Sequence, residues 1–377
     1  MAEPAVERTL FEGSAFYFGQ KTPTESAEHA KSLLPAGTRA SQVAINDAHS
    51  ALITLDARQL LVWGSAQYGR LGDSAPHEGQ LTDGGGGGDE TVGEVHVPRP
   101  VASLAQHRVR KMALGPHHTL ALLASGELYA FGTNECCQLG TGGERTMTNT
   151  VPRRLDALQR ERVTDVSVGY STNLALTADG KVFSFGEGYG GGLGHGDEED
   201  QPVPKLLAGL QGKFIVAVAA GFYDHNMALA GDGTVYSFGG CKYGELGHGV
   251  DQMEATTPRA IEALNGVHIV AIAAGDYHCL ALSDTGNVYS WGLGKAGQLG
   301  HGDRASQSAP KRVDALGGIC IEQIAAGENH SLALADDGRL FGFGRANLGQ
   351  LGAAQTPTAL PIANAAMGEE GLQKREL

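Results

Sequence analysis

Short runs in which apolar positions alternate, or fill every place, recur along the chain and are divided by glycine-bearing turns. Residues 268–313 show the arrangement most fully. IVAIAAG, HCLALS and NVYSWG read there as three strands, with Thr285-Gly286 as the tight turn between the last two. Glu12-Gly13, Ser125-Gly126, Asp179-Gly180, Asp232-Gly233 and Asp337-Gly338 hold the equivalent place elsewhere, and Asp-Gly between apolar runs is a strong hairpin signal. A glycine-rich loop ending in Leu-Gly follows each third strand. A segment such as Ala309–Val313 then predicts a fourth strand at a sheet edge, where its proline is tolerated. Helical periodicity is nearly absent, and Glu25–Leu34 predicts no more than a turn or two of helix.

The third strand closes on Phe-Gly or Trp-Gly at Phe18, Trp63, Phe131, Phe185, Phe238, Trp291 and Phe343, with spacings of 45, 68, 54, 53, 53 and 52 residues. A period near fifty marks one supersecondary unit copied several times. Four short antiparallel strands per unit make one blade of a β-propeller. The first copy, residues 8–19, holds only a hairpin, and the last stops after an edge-strand equivalent at 358–362. The sequence therefore predicts an all-β, seven-bladed propeller of four-stranded antiparallel blades, closed by N- and C-terminal strands sharing one blade. It spans residues 1–366 as a single domain, with an insertion loop at about 73–98 and a charged tail at 367–377.

The combination of G-x-x-H-x-x-A-L, a glycine turn, hydrophobic-x-F/W-G and G-x-L-G resembles the RCC1 repeat (regulator of chromosome condensation) from about Arg8 to Ile362. The resemblance implies the same closed seven-bladed ring. The founder of that family exchanges guanine nucleotide on a Ras-like GTPase and docks on chromatin. Its relatives include ubiquitin-ligase domains, ciliary scaffolds, a plant photoreceptor and organellar factors, so the fold says little about function. The photoreceptor branch relies on a tryptophan-rich interface, whereas this chain has only Trp63 and Trp291. The exchange-factor branch relies on a wedge-like insertion in an early blade, which FGTNECCQLG (131–140) lacks.

Composition sharpens the reading. Glycine is 56 of 377 residues, yet 41% of the chain is hydrophobic, so this is a packed protein rich in turns. The balance of 28 basic against 42 acidic residues, net −14, argues against direct DNA binding. The five cysteines contain no C-x-x-C pair and predict free thiols. The opening MAEPAVERTLFEG lacks an apolar core, so no signal peptide is expected, and no apolar run reaches membrane-spanning length. Lys374–Leu377 resembles an ER-retention signal, which without an entry signal is read as chance. Cytoplasm or nucleus is the expected location, with cytoskeletal or ciliary association as a variant of it.

His49, His118, His225, His278 and His330 occupy one phase of the repeat, as do Trp63, Phe131, Phe185, Phe238, Trp291 and Phe343. Residues at one phase are spread around a ring, so both sets are assigned to architecture, and no metal site is expected from the histidines. The G-x-G-x-x-G matches at 186–191 and 292–297 also fall at one phase and precede no helical pattern, which rejects a dinucleotide site. The Gly84–Gly88 run lacks the Lys-Ser/Thr of a phosphate loop and reads as linker. No catalytic set and no cofactor are expected. Asp197, Glu198, Glu199 and Asp200, together with Asp89, Glu90 and Glu94 of the insertion, are the candidate partner-binding residues, because clustered carboxylates attract a basic protein surface. The expected function is that of a protein-interaction scaffold or assembly subunit. The alternative is guanine-nucleotide exchange on a small Ras-like GTPase.

Overall fold

The computed structural model describes residues 39–361, apart from 47, 75–93, 144, 146–147, 250–253, 348–350 and 352–355. These residues form six four-stranded antiparallel sheets, each a simple meander of consecutive strands. Blade 1 comprises Ala40–Ile45, His49–Thr54, Leu60–Ser65 and Glu94–Pro100, and blades 2 to 5 follow over 109–154, 163–206, 215–260 and 269–312. Blade 6 comprises Ile321–Ala326, His330–Ala335, Leu340–Gly344 and Thr356–Pro361. No helix among the described residues is long and apolar enough to cross a membrane.

The expected seven blades and shared closing blade are not found: the described residues form six blades, not seven. The third strand of blade 6 pairs with the segment that follows it, Phe341 opposite Pro361 and Gly342 opposite Leu360. Blade 6 thus has its four strands from its own repeat and the C-terminal segment that follows it. The count of seven rested on the aromatic-Gly phrase alone, whereas a blade needs the full set of four strands. Six of the phrases sit on third strands. The first, Phe18-Gly19, lies outside the described residues, as do Glu25–Leu34 and the 367–377 tail.

Successive first strands touch one another. They therefore line the axis, and the proline-bearing fourth strands lie at the rim. The second strands are buried along their whole length in blades 2 to 5, as in HTLALL (118–123) and HCLALS (278–283). A neighbouring blade covers each of their two faces, so they read as nearly continuous apolar runs. The five apolar cores each draw on two successive blades. A single repeat thus has nothing of its own to fold around.

The aromatic-Gly and Leu-Gly phrases meet across these interfaces. Phe185 of blade 3 is fully buried against the Leu139-Gly140 turn of blade 2. A Cβ on Gly140, whose φ is +63°, would lie 2.5 Å from the Phe185 ring. Gly194 meets Phe238, and Gly300 meets Phe343, in the same way. One phrase is the wedge and the other the notch cut for it.

Blades are joined by single 3-10 turns such as Asp156–Leu158 and Asp314–Leu316. Apolar residues three apart, Leu155 with Leu158 and Val313 with Leu316, are buried together there because i and i+3 eclipse in that geometry. Part of the expected insertion belongs to blade 1: Glu94–Pro100 is its fourth strand, with Ser65 opposite Glu94 and Leu61 opposite Pro100. Asp73 Oδ2 accepts from the Ser103 backbone N–H at 2.7 Å. Residues 75–93 lie outside the described residues.

Candidate functional site

In a four-strand meander, the turns after strands 1 and 3 emerge on one face of the ring. The residue that opens each second strand, a histidine in every blade but the third, where it is Thr172, lies just under that face. His118 Nε2 is 2.7 Å from Asn173 Oδ1 of the next blade, and His49 Nε2 is 2.9 Å from Thr119 Oγ1. The Thr119 hydroxyl donates to the Arg70 carbonyl of blade 1, and Asn173 Nδ2 donates to the Gln138 carbonyl of blade 2. Each polar residue is therefore clamped between a histidine and a loop carbonyl of the preceding blade. Since the Thr119 proton is committed to Arg70, His49 carries its proton on Nε2. At the His225 phase the next blade supplies Cys279, and His225 has no side-chain hydrogen-bond partner. Burial lowers His118 and His225 to about 4 and His278 to about 3. All three imidazoles are neutral, and His118 and His278 stitch neighbouring blades together.

The histidines of the Gly-His-Gly loops are also used internally. Ser184 Oγ donates to the Leu193 carbonyl at 2.7 Å and lies 2.9 Å from His195 Nε2. Ser237 with His248 and Ser290 with His301 repeat the arrangement. Among the described residues no group of His, Cys, Asp or Glu is placed to hold a metal ion.

Above the stitches, aromatic side chains form a continuous row across blades 1 to 5. Tyr68 meets His117 edge-on at 4.8 Å between ring centres, and His117 meets Tyr170 at 5.7 Å. Tyr170 meets Phe222 at 5.2 Å, and Phe222 meets Tyr223 at 5.0 Å. Tyr223 stacks flat on Tyr277 at 4.3 Å, and Tyr243 closes the row edge-on to Tyr277 at 5.2 Å. Backbone bonds hold the turns in register: Tyr170 N–H donates to the Phe222 carbonyl, and Phe222 N–H to the Gly275 carbonyl. Tyr170 and Tyr223 are 40% and 44% exposed, a large apolar presentation for turn residues. Burial and the neighbouring tyrosines raise the Tyr277 phenol to about 12, so it stays a neutral hydroxyl.

Carboxylates lie beside the middle of the row. Glu187 N–H donates to the Ser171 carbonyl, next to Tyr170, and Asp224 follows Tyr223 in the same turn. The blade 4 turn between its glycine and histidine, Gly221 to His225, is one residue longer than Gly275 to His278 in blade 5. The extra length puts Asp224 at φ 57°. Burial raises the Asp224 carboxyl to about 7, assisted by Glu187, and burial also raises Glu187, assisted by Asp200.

The residues singled out from sequence fall in several places. Asp197, Glu198 and Glu199 are exposed on the blade 3 loop of this face. Asp200 is not a free member of that run: it accepts from Gly188 N–H at 2.9 Å and pairs with Arg145 at 2.5 Å. Asp89 and Glu90 lie outside the described residues, and Glu94 opens the fourth strand of blade 1. All five cysteines are free, with Cys279 buried and Cys320 exposed. The aromatic row, Glu187 and Asp224 escaped sequence reasoning. The available signal was the variable pair before each histidine, as in Gly-Tyr-Ser-Thr (169–172) and Gly-Asp-Tyr-His (275–278), the least repetitive part of the unit.

Comparison with known proteins agrees with this architecture. Residues 79–372 match the RCC1-like domain. The ultraviolet-B receptor UVR8 of Arabidopsis thaliana is 32% identical over 308 residues, which cover 82% of this chain and 66% of the receptor. The E3 ubiquitin-protein ligase HERC2 of Homo sapiens is 34% identical over 326 residues, covering 85% of this chain and 7% of the ligase. The chain thus spans less than two thirds of the length of either relative. In structure it resembles Prp20p of Saccharomyces cerevisiae, a protein studied for its binding to Gsp1p and histones. The TM-score is 0.70 at 23% identity, covering 86% of this chain and 77% of that one. Repeat phrases, blade topology and sequence similarity over most of the chain together make this protein a member of the RCC1-like β-propeller family.

Proposed function

We propose that this propeller acts as a protein-interaction module whose working surface is the face carrying the turns after strands 1 and 3. The observation that supports it most directly is the aromatic row, an unbroken series of ring contacts across blades 1 to 5 that leaves Tyr170 and Tyr223 about half exposed. The exposed carboxylates of Asp197, Glu198 and Glu199 on the same face favour a partner with a basic surface. His49, His118 and His278 are engaged in joining blades, which leaves the loops as the variable, outward part of the molecule.

Affinity capture from native cells with the full chain, followed by reconstitution with the recombinant partner, tests this reading. A partner that binds the purified chain directly is the expected result. Failure of every captured protein to bind after purification overturns it.

Guanine-nucleotide exchange is the second reading, prompted by the likeness in fold to Prp20p, which binds Gsp1p. The blade 2 loop (133–148) offers its tight Asn134–Gly140 turn where a wedge is needed: Leu139 N–H donates to Asn134 Oδ1, and Cys137 N–H to the Asn134 carbonyl. Release of fluorescent GDP from Ras-like GTPases is expected to proceed at its intrinsic rate in the presence of this protein. A many-fold acceleration would replace the first reading with the second.

A further inference from the structure

The two ends of the aromatic row already hold cations of the chain itself. The Arg70 guanidinium lies 5.2 Å from the centre of the Tyr68 ring. At the other end Lys242 and Lys295 lie 5.3 and 5.5 Å from the Tyr243 ring. These contacts show that rings in this row present their electron-rich faces where a cation can reach them. The middle of the row is different. Among the described residues no cation of the chain sits over Tyr170, Phe222 or Tyr223. Glu187 and Asp224 flank that stretch, and neither has a basic side chain bonded to it. Arg145, the nearest base, is engaged by Asp200.

We propose that the stretch formed by Tyr170, Phe222 and Tyr223, with Glu187 and Asp224, is the docking site for an arginine-bearing basic segment of a protein partner. A guanidinium laid on the rings would gain the face contact that Arg70 gains on Tyr68. Its N–H groups would supply the charged hydrogen-bond donors that the two carboxylates lack. Arginine fits better than lysine because its flat, weakly hydrated head can stack and bond in its own plane at once. The inference rests on the interaction reading above and specifies where, and to what chemistry, that interaction is directed.

The test uses the full chain and a fluorescein-labelled peptide of Gly-Arg-Ser repeats, with citrulline replacing arginine in a control peptide of the same shape. Binding is read by fluorescence anisotropy. The paired substitution Tyr170→Ser/Tyr223→Ser leaves the net charge unchanged and is expected to weaken arginine-peptide binding about tenfold. Glu187→Gln/Asp224→Asn is expected to do the same, and Glu262→Gln/Asp314→Asn, at exposed carboxylates of the inter-blade turns, to leave binding within about twofold. Tyr170→Phe/Tyr223→Phe keeps the rings and is expected to bind like the parent, which separates loss of the rings from loss of the fold.

Binding indifferent to the tyrosine pair overturns the site, as does equal weakening by the Glu262/Asp314 pair, which would signify attraction by net charge alone. Concentration-dependent dimerisation in sedimentation that disappears with the tyrosine pair overturns it too, because the occupant would then be a second copy of the chain. If a captured native partner still binds the tyrosine-pair variant, this inference fails while the interaction reading stands.

Discussion

His278 Nε2 lies 2.9 Å from Ser331 Oγ, joining the second strand of blade 5 to that of blade 6 across a fully dry interface. Ser331 spends its own proton on the Gln298 carbonyl of blade 5 at 2.8 Å, so the imidazole must be the donor in this pair.

Replacing His278 with Ala is therefore expected to destabilise the protein by about 1–3 kcal/mol in urea unfolding, since Ser331 keeps its acceptor but loses its donor. Burial holds His278 at about 3, against 6.5 unfolded. The folded state thus refuses a proton that the unfolded chain takes up, and stability present above pH 6.5 is lost as pH falls toward 3. The parent protein should lose more stability than the variant between pH 6.5 and 4. Equal slopes of unfolding free energy against pH would contradict the assignment.

Asp224 carries the opposite sign. Its carboxyl stands at about 7 in the fold against 3.8 unfolded, so the folded chain binds the extra proton and its contribution to stability is lost as pH rises from about 4 through 7. The charged groups bearing on it are Glu187 and, beyond that, Asp200 with its partner Arg145. Asp224→Asn imitates the protonated acid. It should match the parent below pH 4 and exceed it by on the order of 1–3 kcal/mol above pH 7. A variant less stable than the parent at pH 8 would show that the ionised carboxylate is held favourably.

Gly140→Ala introduces a Cβ 2.5 Å from the Phe185 ring at a residue with φ +63°. Left-handed backbone and overpacking act together, and a loss of about 2–4 kcal/mol is expected in thermal or urea unfolding. Gly143→Ala, with open space around its Cβ, meets only the backbone penalty and should cost about 1 kcal/mol. Similar losses at both positions would mean that the wedge and notch do not bear on each other.

Thiol accessibility separates the cysteines. Cys320 is exposed, Cys136 is half-buried, and Cys137, Cys241 and Cys279 are buried, so Cys320 should react fastest with an aromatic disulfide reagent in the folded protein, ahead of Cys136. Cys320→Ser should abolish that fast phase. A fast phase that survives would place a second thiol at the surface.

The blade was legible because its signals are local. Alternating strands, the Thr285-Gly286 turn and the proline of Ala309–Val313 each report short-range geometry, and Thr285-Gly286 does close the hairpin between His278–Ser283 and Val288–Gly292. The number of blades was not legible from one phrase, since Phe18-Gly19 shares its wording with the third strands but lies outside the described set. Cross-blade bonds such as that of Trp291 Nε1 to the Glu245 carbonyl join residues 46 apart, and no spacing rule announces them. The candidate surface hid for the reverse reason. Tyr170, Tyr223 and Tyr277 stand where the repeat varies, and a search tuned to recurrence passes over what does not recur.

The fit of each buried aromatic into the Leu-Gly notch of the preceding blade bears on how such chains arise. Blades 2 to 5 each carry both the plug for one neighbour and the socket for the other, as Phe185 and Leu193-Gly194 show within blade 3. A duplicated stretch of gene would enter the array already matched on both sides, without compensating changes elsewhere. The ring can thus lengthen by whole units while the loops above it drift toward new partners.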